Sequence, residues 1–72
     1  MAKTPESADI LYTPLSTQAL LRPLSERGEE WVRDNLESTA SQWVGGRLAI
    51  DARHAPFILR DMRRDSLVVA GD

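Results

Sequence analysis

The strongest constraint in this chain is a change of hydrophobic period just beyond Ile50. Residues 47–51, Arg-Leu-Ala-Ile-Asp, alternate polar with apolar, Ala49 being the weak member, so Leu48 and Ile50 point to one side of a strand. From Ala55 the spacing becomes four. Ala55, Ile58, Leu59 and Met62 fall at i, i+3, i+4 and i+7 and make one apolar stripe on a helix. Pro56 fixes where that helix starts, because a proline is tolerated only in the first turn, where its missing N–H would have had no partner. The helix therefore begins near Ala55 and not at Asp51, an otherwise attractive cap. Asp65 and Ser66 end it, and Leu67, Val68, Val69 and Ala70 form an apolar run expected as a strand covered on both faces.

Upstream, Gly45 and Gly46 can take the positive φ angles of a two-residue hairpin turn, which would pair residues 42–44 with residues 47–50. A single long, kinked strand is the alternative. Ser25 is a good N-cap for a helix over residues 26–36, with Glu26 favoured by the positive end of the helix dipole. That helix buries Gly28, Trp31, Val32 and Leu36 and turns Glu29, Glu30, Arg33 and Asp34 to water. Glycine inside a helix costs about 1 kcal/mol relative to alanine, which points to close packing of helix on sheet at Gly28. Residues 37–41 form a polar connection.

Two earlier segments are less decided. Around residues 19–24 the chain forms either a short helix over residues 17–22 capped by Ser16 or an edge strand. The strand is preferred, because Pro23 pushes Arg22 into extended backbone and Leu20, Arg22 and Leu24 alternate. Ile10, Leu11, Tyr12 and Thr13, halted by Pro14, make a short edge strand or an extended arm over apolar surface. Residues 1–9 are polar and are expected as a disordered tail, leaving residues 10–72 as one small domain. The predicted class is α/β (α+β) in the order β-α-β-α-β. It has a three- to four-stranded sheet, parallel through right-handed crossovers, with both helices on one face. The open face then requires the arm over residues 10–15 or a second molecule.

At 72 residues the chain is near the lower limit at which one hydrophobic core suffices, so oligomerisation is a natural remedy. With no cysteine there is neither a disulfide framework nor a thiolate metal site, in keeping with a cytoplasmic location. Residues 1–9 hold no apolar signal region, and the initiating Met1 suggests a complete gene product. A net charge of −2 disfavours wrapping of nucleic acid while leaving room for a local basic patch.

Motifs for chemistry are weak. His54 follows Asp51 by three residues, the spacing of a carboxylate-oriented base, but no nucleophile is fixed nearby and turn or capping duty accounts for both. One histidine without cysteine gives no metal set, and Gly45-Gly46 lacks the rest of a phosphate-cradling fingerprint. No cofactor or metal is implied, and no catalytic residue is assigned.

The functional candidates lie on the second helix. Phe57, Arg60, Asp61 and Arg64 stand opposite the apolar stripe, since Phe57 is rotated by about 200° from Ala55. An exposed aromatic among arginines has the composition of an interface hot spot. The competing expectation is that Phe57 leans into the core or under Tyr12. With Arg53 these residues make the candidate partner-binding set. The second helical region, with Arg53, Arg60, Arg63 and Arg64, is basic where the first is acidic, which favours pairing within the fold or between copies. The leading expectation is a non-enzymatic protein-binding module acting as a homodimer: a cytoplasmic accessory, adaptor or inhibitor protein, of the phage- or plasmid-type inhibitor or bacterial antitoxin kind. The alternative is nucleic-acid binding through Arg47, Arg53, Arg60, Arg63 and Arg64, and an enzyme ranks last.

Overall fold

The computed structural model describes residues 8–36 and 42–71, so the connection over residues 37–41 and most of the expected N-terminal tail lie outside the described residues. Within them the chain runs β1 (Ile10–Pro14), β2 (Gln18–Pro23), α1 (Glu26–Asn35), β3 (Trp43–Val44), β4 (Arg47–Asp51), α2 (Ala55–Arg64) and β5 (Val69–Gly71). The five strands form one mixed sheet in the order β3-β4-β2-β1-β5. No helix among the described residues is long and apolar enough to cross a membrane.

The α+β class and the two helices match expectation, whereas the strand count and the β-α-β-α-β order do not. Two hairpins account for the difference. Only residues 15–17 separate β1 from β2, too few for a crossover, so the pair closes antiparallel with Tyr12 opposite Leu21. Gly45 and Gly46, at φ of 58° and 78°, turn β3 back on β4, with Trp43 opposite Leu48. β2 and β4 are also antiparallel, and the one parallel pair is β1 with β5, reached through α2. Residues 19–24 thus contain a central strand rather than an edge one. β1 also has neighbours on both sides.

Register decides which side chains face the helices. Ile10, Leu21 and Leu48 share one face and pack with Trp31 and Val32 of α1 and with Leu59 and Met62 of α2. Both helices therefore cover one face. The opposite face carries Leu11, Leu20 and Ala49, half-buried, beside Arg22 and Arg47. β5 corrects the expectation for residues 67–70: it begins at Val69, it is an edge strand, and Val68 before it is 42% exposed.

The helix ends are built as their residues dictate. Ser25 Oγ accepts the Gly28 N–H at 3.1 Å and caps α1. At the other end of the helical layer, Ser66 takes a left-handed φ of 68°. There its N–H donates to Arg63 and the Leu67 N–H donates to Met62, the paired closure that turns a helix into the next strand. Trp31 Nε1 donates to the Asp65 carboxylate at 2.8 Å, and Arg27 donates to the Ser66 carbonyl at 3.0 Å, so α1 holds the end of α2.

Asp9 draws these elements together. Expected in the tail with Ala8, it is 5% exposed, and Ala8 is 4% exposed. Its carboxylate accepts from Ser25 Oγ at 2.5 Å and from the Val68 N–H at 2.9 Å. Its backbone N–H donates to Val68 and its carbonyl accepts from Leu24, both at 2.8 Å. These bonds are why residues 8 and 9 belong to the fold. The Ser25 and Val68 hydrogen bonds, helped by the Arg27 charge, hold the Asp9 carboxyl below its ordinary value of 3.8 against the opposing effect of burial. α1 passes so close that a Cβ on Gly28 would stand 2.2 Å from the Asp9 carbonyl oxygen.

Two predictions follow from this junction. Gly28→Ala, a change that stabilises an unconstrained helix by about 1 kcal/mol, is expected here to destabilise by about 1–3 kcal/mol, because helix and strand must part. A shift of the urea midpoint to lower concentration checks the sign. Asp9→Asn is expected to cost about 2 kcal/mol, since an amide cannot accept on both arms. Because the folded carboxyl titrates below the unfolded one, the Asp9 contribution is full above the ordinary value of 3.8 and fades as pH falls through the folded one. Urea titrations should therefore show the gap between wild type and Asp9→Asn narrowing on acidification below about pH 4 and constant above about pH 5.

Candidate functional site

α2 buries Ala55, Leu59 and Met62, which leaves the opposite side to Phe57, Arg60, Asp61 and Arg64. Phe57 is 58% exposed. It neither enters the core nor passes beneath Tyr12, whose ring packs from the sheet against the cluster on the other side of the helix. The Arg60 guanidinium lies over the Phe57 ring, 5.6 Å from its centroid, close enough for a cation–π attraction. Asp61 sits between the two arginines, 3.8 Å from Arg60 Nε and 3.6 Å from Arg64 Nη2, and Asp65 is 3.9 Å from Arg64 Nε. Such exposed pairs add little stability.

Arg53 stands apart in the turn before α2. Its backbone N–H donates to Asp51 Oδ1 at 2.8 Å, and its guanidinium donates through Nε to Oδ1 at 3.1 Å and through Nη2 to Oδ2 at 2.9 Å. The fork from Arg53 lowers the Asp51 carboxyl to about 2. Both carboxylate oxygens accept from Arg53, and the hydrogen bond that joins His54 to Asp51 is a backbone one, the His54 N–H donating to the Asp51 carbonyl at 2.9 Å. The spacing that suggested an oriented base is thus an arginine-clasped turn. Among the described residues no group of three or more histidine, cysteine or acidic side chains is placed to hold a metal ion.

The arginines also divide in space. Arg60, Arg63 and Arg64 belong to α2, whereas Arg47 lies on the uncovered face of the sheet, because Leu48 next to it faces the helices. Arg22 occupies that same face on β2. The acidic and basic regions are neighbouring helices on one face of the sheet, not opposite faces of the molecule. Among the described residues the ion pairs all lie within residues 51–65, so α1 and α2 do not neutralise each other.

A groove was not foreseen. Between α1 and the β3–β4 hairpin is a cavity of about 850 Å³ lined by the apolar side chains of Pro23, Val32, Leu36 and Trp43 and by the polar ones of Glu29, Arg33, Asp34 and Asn35. Trp43 is 37% exposed, on the helix side of the sheet because it pairs with Leu48. The available sequence signal was a tryptophan two residues before a Gly-Gly turn, placed on the shortest strand. No family model, curated protein or solved structure matches this chain.

The exposure of Phe57 has a direct consequence. Phe57→Ala removes little buried area, so its effect on the urea-derived unfolding free energy is expected to stay within about 0.5 kcal/mol, whereas Leu59→Ala, a core truncation on the same helix, should cost about 2–5 kcal/mol.

Proposed function

We propose that this protein is a non-enzymatic binding module, a small cytoplasmic accessory, adaptor or inhibitor protein, that engages another protein through the outer face of α2. The observation that carries this is Phe57, 58% exposed on a helix whose far side is anchored in the core, with Arg60 laid across it and Arg64 two turns further along the same face. Aromatic and arginine side chains are enriched where truncation costs most binding energy, and a ring on a packed helix loses little freedom on contact. Asp61 gives the patch a negative centre between positive flanks, and Arg53, clasped to Asp51 in the turn before α2, is a separate cation available to the same partner. The partner face that fits is an apolar pocket with an acidic rim.

The division of the arginines favours protein over nucleic acid as the partner. Duplex binding needs cations that follow the phosphates along one surface. Here Arg47 is on the far side of the sheet, and Arg60 and Arg64 already face acids of their own helix. Nucleic-acid binding through the Arg-rich second helix stays the alternative, and steep weakening of DNA binding with salt is its signature.

The test is affinity capture from the native cell with wild-type protein, Phe57→Ala and Arg60→Ala in parallel. A specific protein retained by wild type and reduced about tenfold or more by Phe57→Ala supports the assignment. Undiminished capture by both variants contradicts it, and nuclease-sensitive capture with steep salt dependence favours the alternative.

A further inference from the structure

We infer that each copy of this chain seats its Phe57 in the groove beside α1 of a second copy, so that the protein is a two-fold homodimer joined through its helical layer. The inference rests on the binding reading of α2 and names its partner.

The two surfaces match in shape and in chemistry. Phe57 is an exposed ring with Arg60 over it and Arg64 further along the same face of α2, and the groove joins the apolar side chains of Pro23, Val32, Leu36 and Trp43 to an edge of Glu29, Arg33 and Asp34 that carries one net negative charge. Its volume, about 850 Å³, lies in the range of sites that enclose an aromatic group together with its neighbours. A phenylalanine entering it would bring its arginines to an edge whose two acids outnumber its one arginine, the sign of charge that the α2 face calls for.

The helices carry the same complementarity along their length. α1 bears Glu26, Glu29, Glu30 and Asp34 against Arg27 and Arg33, a surplus of two negative charges. α2 bears Arg60, Arg63 and Arg64 against Asp61, a surplus of two positive charges. Glu26, Glu30 and Asp34 recur every four residues and form one outward ridge, as Arg60 and Arg64 do on α2. Within one molecule these helices make no ion pair with each other among the described residues. A two-fold axis across the helical layer sets α1 of each copy against α2 of the other. Knob and groove are on the same chain, so one axis forms the contact twice and the assembly closes as a pair.

The test is sedimentation equilibrium on the full chain with a charge-exchange pair. Wild type is expected to rise with concentration from 8.1 kDa toward twice that mass. Phe57→Ala, the double variant Arg60→Glu with Arg64→Glu, and the double variant Glu29→Lys with Asp34→Lys should each weaken association about tenfold or more. An equimolar mixture of the two double variants should restore it, because in the mixed pair both contacts again join opposite charges. All substituted side chains are exposed, and far-UV circular dichroism of each variant checks the fold. A chain that stays monomeric to millimolar concentration overturns the inference, and so does a dimer indifferent to Phe57→Ala and to charge reversal, which would assemble by another face such as the uncovered side of the sheet. A chain that is monomeric yet captures a different protein through Phe57 overturns the dimer while leaving the reading of α2 in place.

Discussion

The carboxylate of Asp9 is the interaction on which the rest of this fold depends. The domain is near the lower size limit for a single hydrophobic core, and the one parallel pair among the described residues, β1 with β5, joins residues nearly sixty positions apart. Asp9 closes that distance with the Val68 N–H and fixes the start of α1 through Ser25, 16 residues away, with the same side chain. A charged group is costly to bury unless its oxygens find donors. Here each oxygen has one, and the backbone of the same residue is tied to Val68 and Leu24. Gly28 completes the junction by letting α1 ride against the Asp9 carbonyl where no side chain would fit.

That junction sets the sidedness of the molecule. With α1 pinned at its first turn over the end of β1, and α2 tied to it through Trp31–Asp65 and Arg27–Ser66, both helices lie on one face of the sheet. Each then has an outer surface with no described element above it. On α1 that surface is acidic, and on α2 it is arginines around a phenylalanine. The groove is a result of the same placement, since α1 covers Leu21 and Leu48 but leaves Trp43 on the short edge strand partly open.

The helices were legible in the sequence because what specifies them is local. Ser25 and Pro56 mark starts through backbone hydrogen bonding within one turn, and the spacing of Ala55, Ile58, Leu59 and Met62 assigns the buried side with no reference to a partner. The outward position of Phe57 and the turn at Gly45 and Gly46 were each one of two readings of the sequence, and the structure decides for both of them. Strand pairing was not legible in the same way. Ile10 to Pro14 carries no mark that says whether it pairs with β2, with β5 or with neither, because the deciding contacts are with residues far along the chain. Asp9 illustrates the difficulty most clearly. In a run of polar residues it has the composition of a tail, and its burial follows only from the arrival of Val68 and Ser25. The groove at Trp43 likewise exists only once α1 and the hairpin have met.

The central claim is that the ring displayed by α2 is a contact residue and that its receptor is the trough beside α1. A photoreactive phenylalanine analogue at position 57, irradiated at rising protein concentration and mapped by mass spectrometry, tests it most directly. The account predicts cross-links from position 57 to residues around Trp43, Leu36 and Pro23 on another copy, their yield growing with concentration. Cross-links confined to solvent and to the same α2 helix at every concentration, with no intermolecular product, would contradict it.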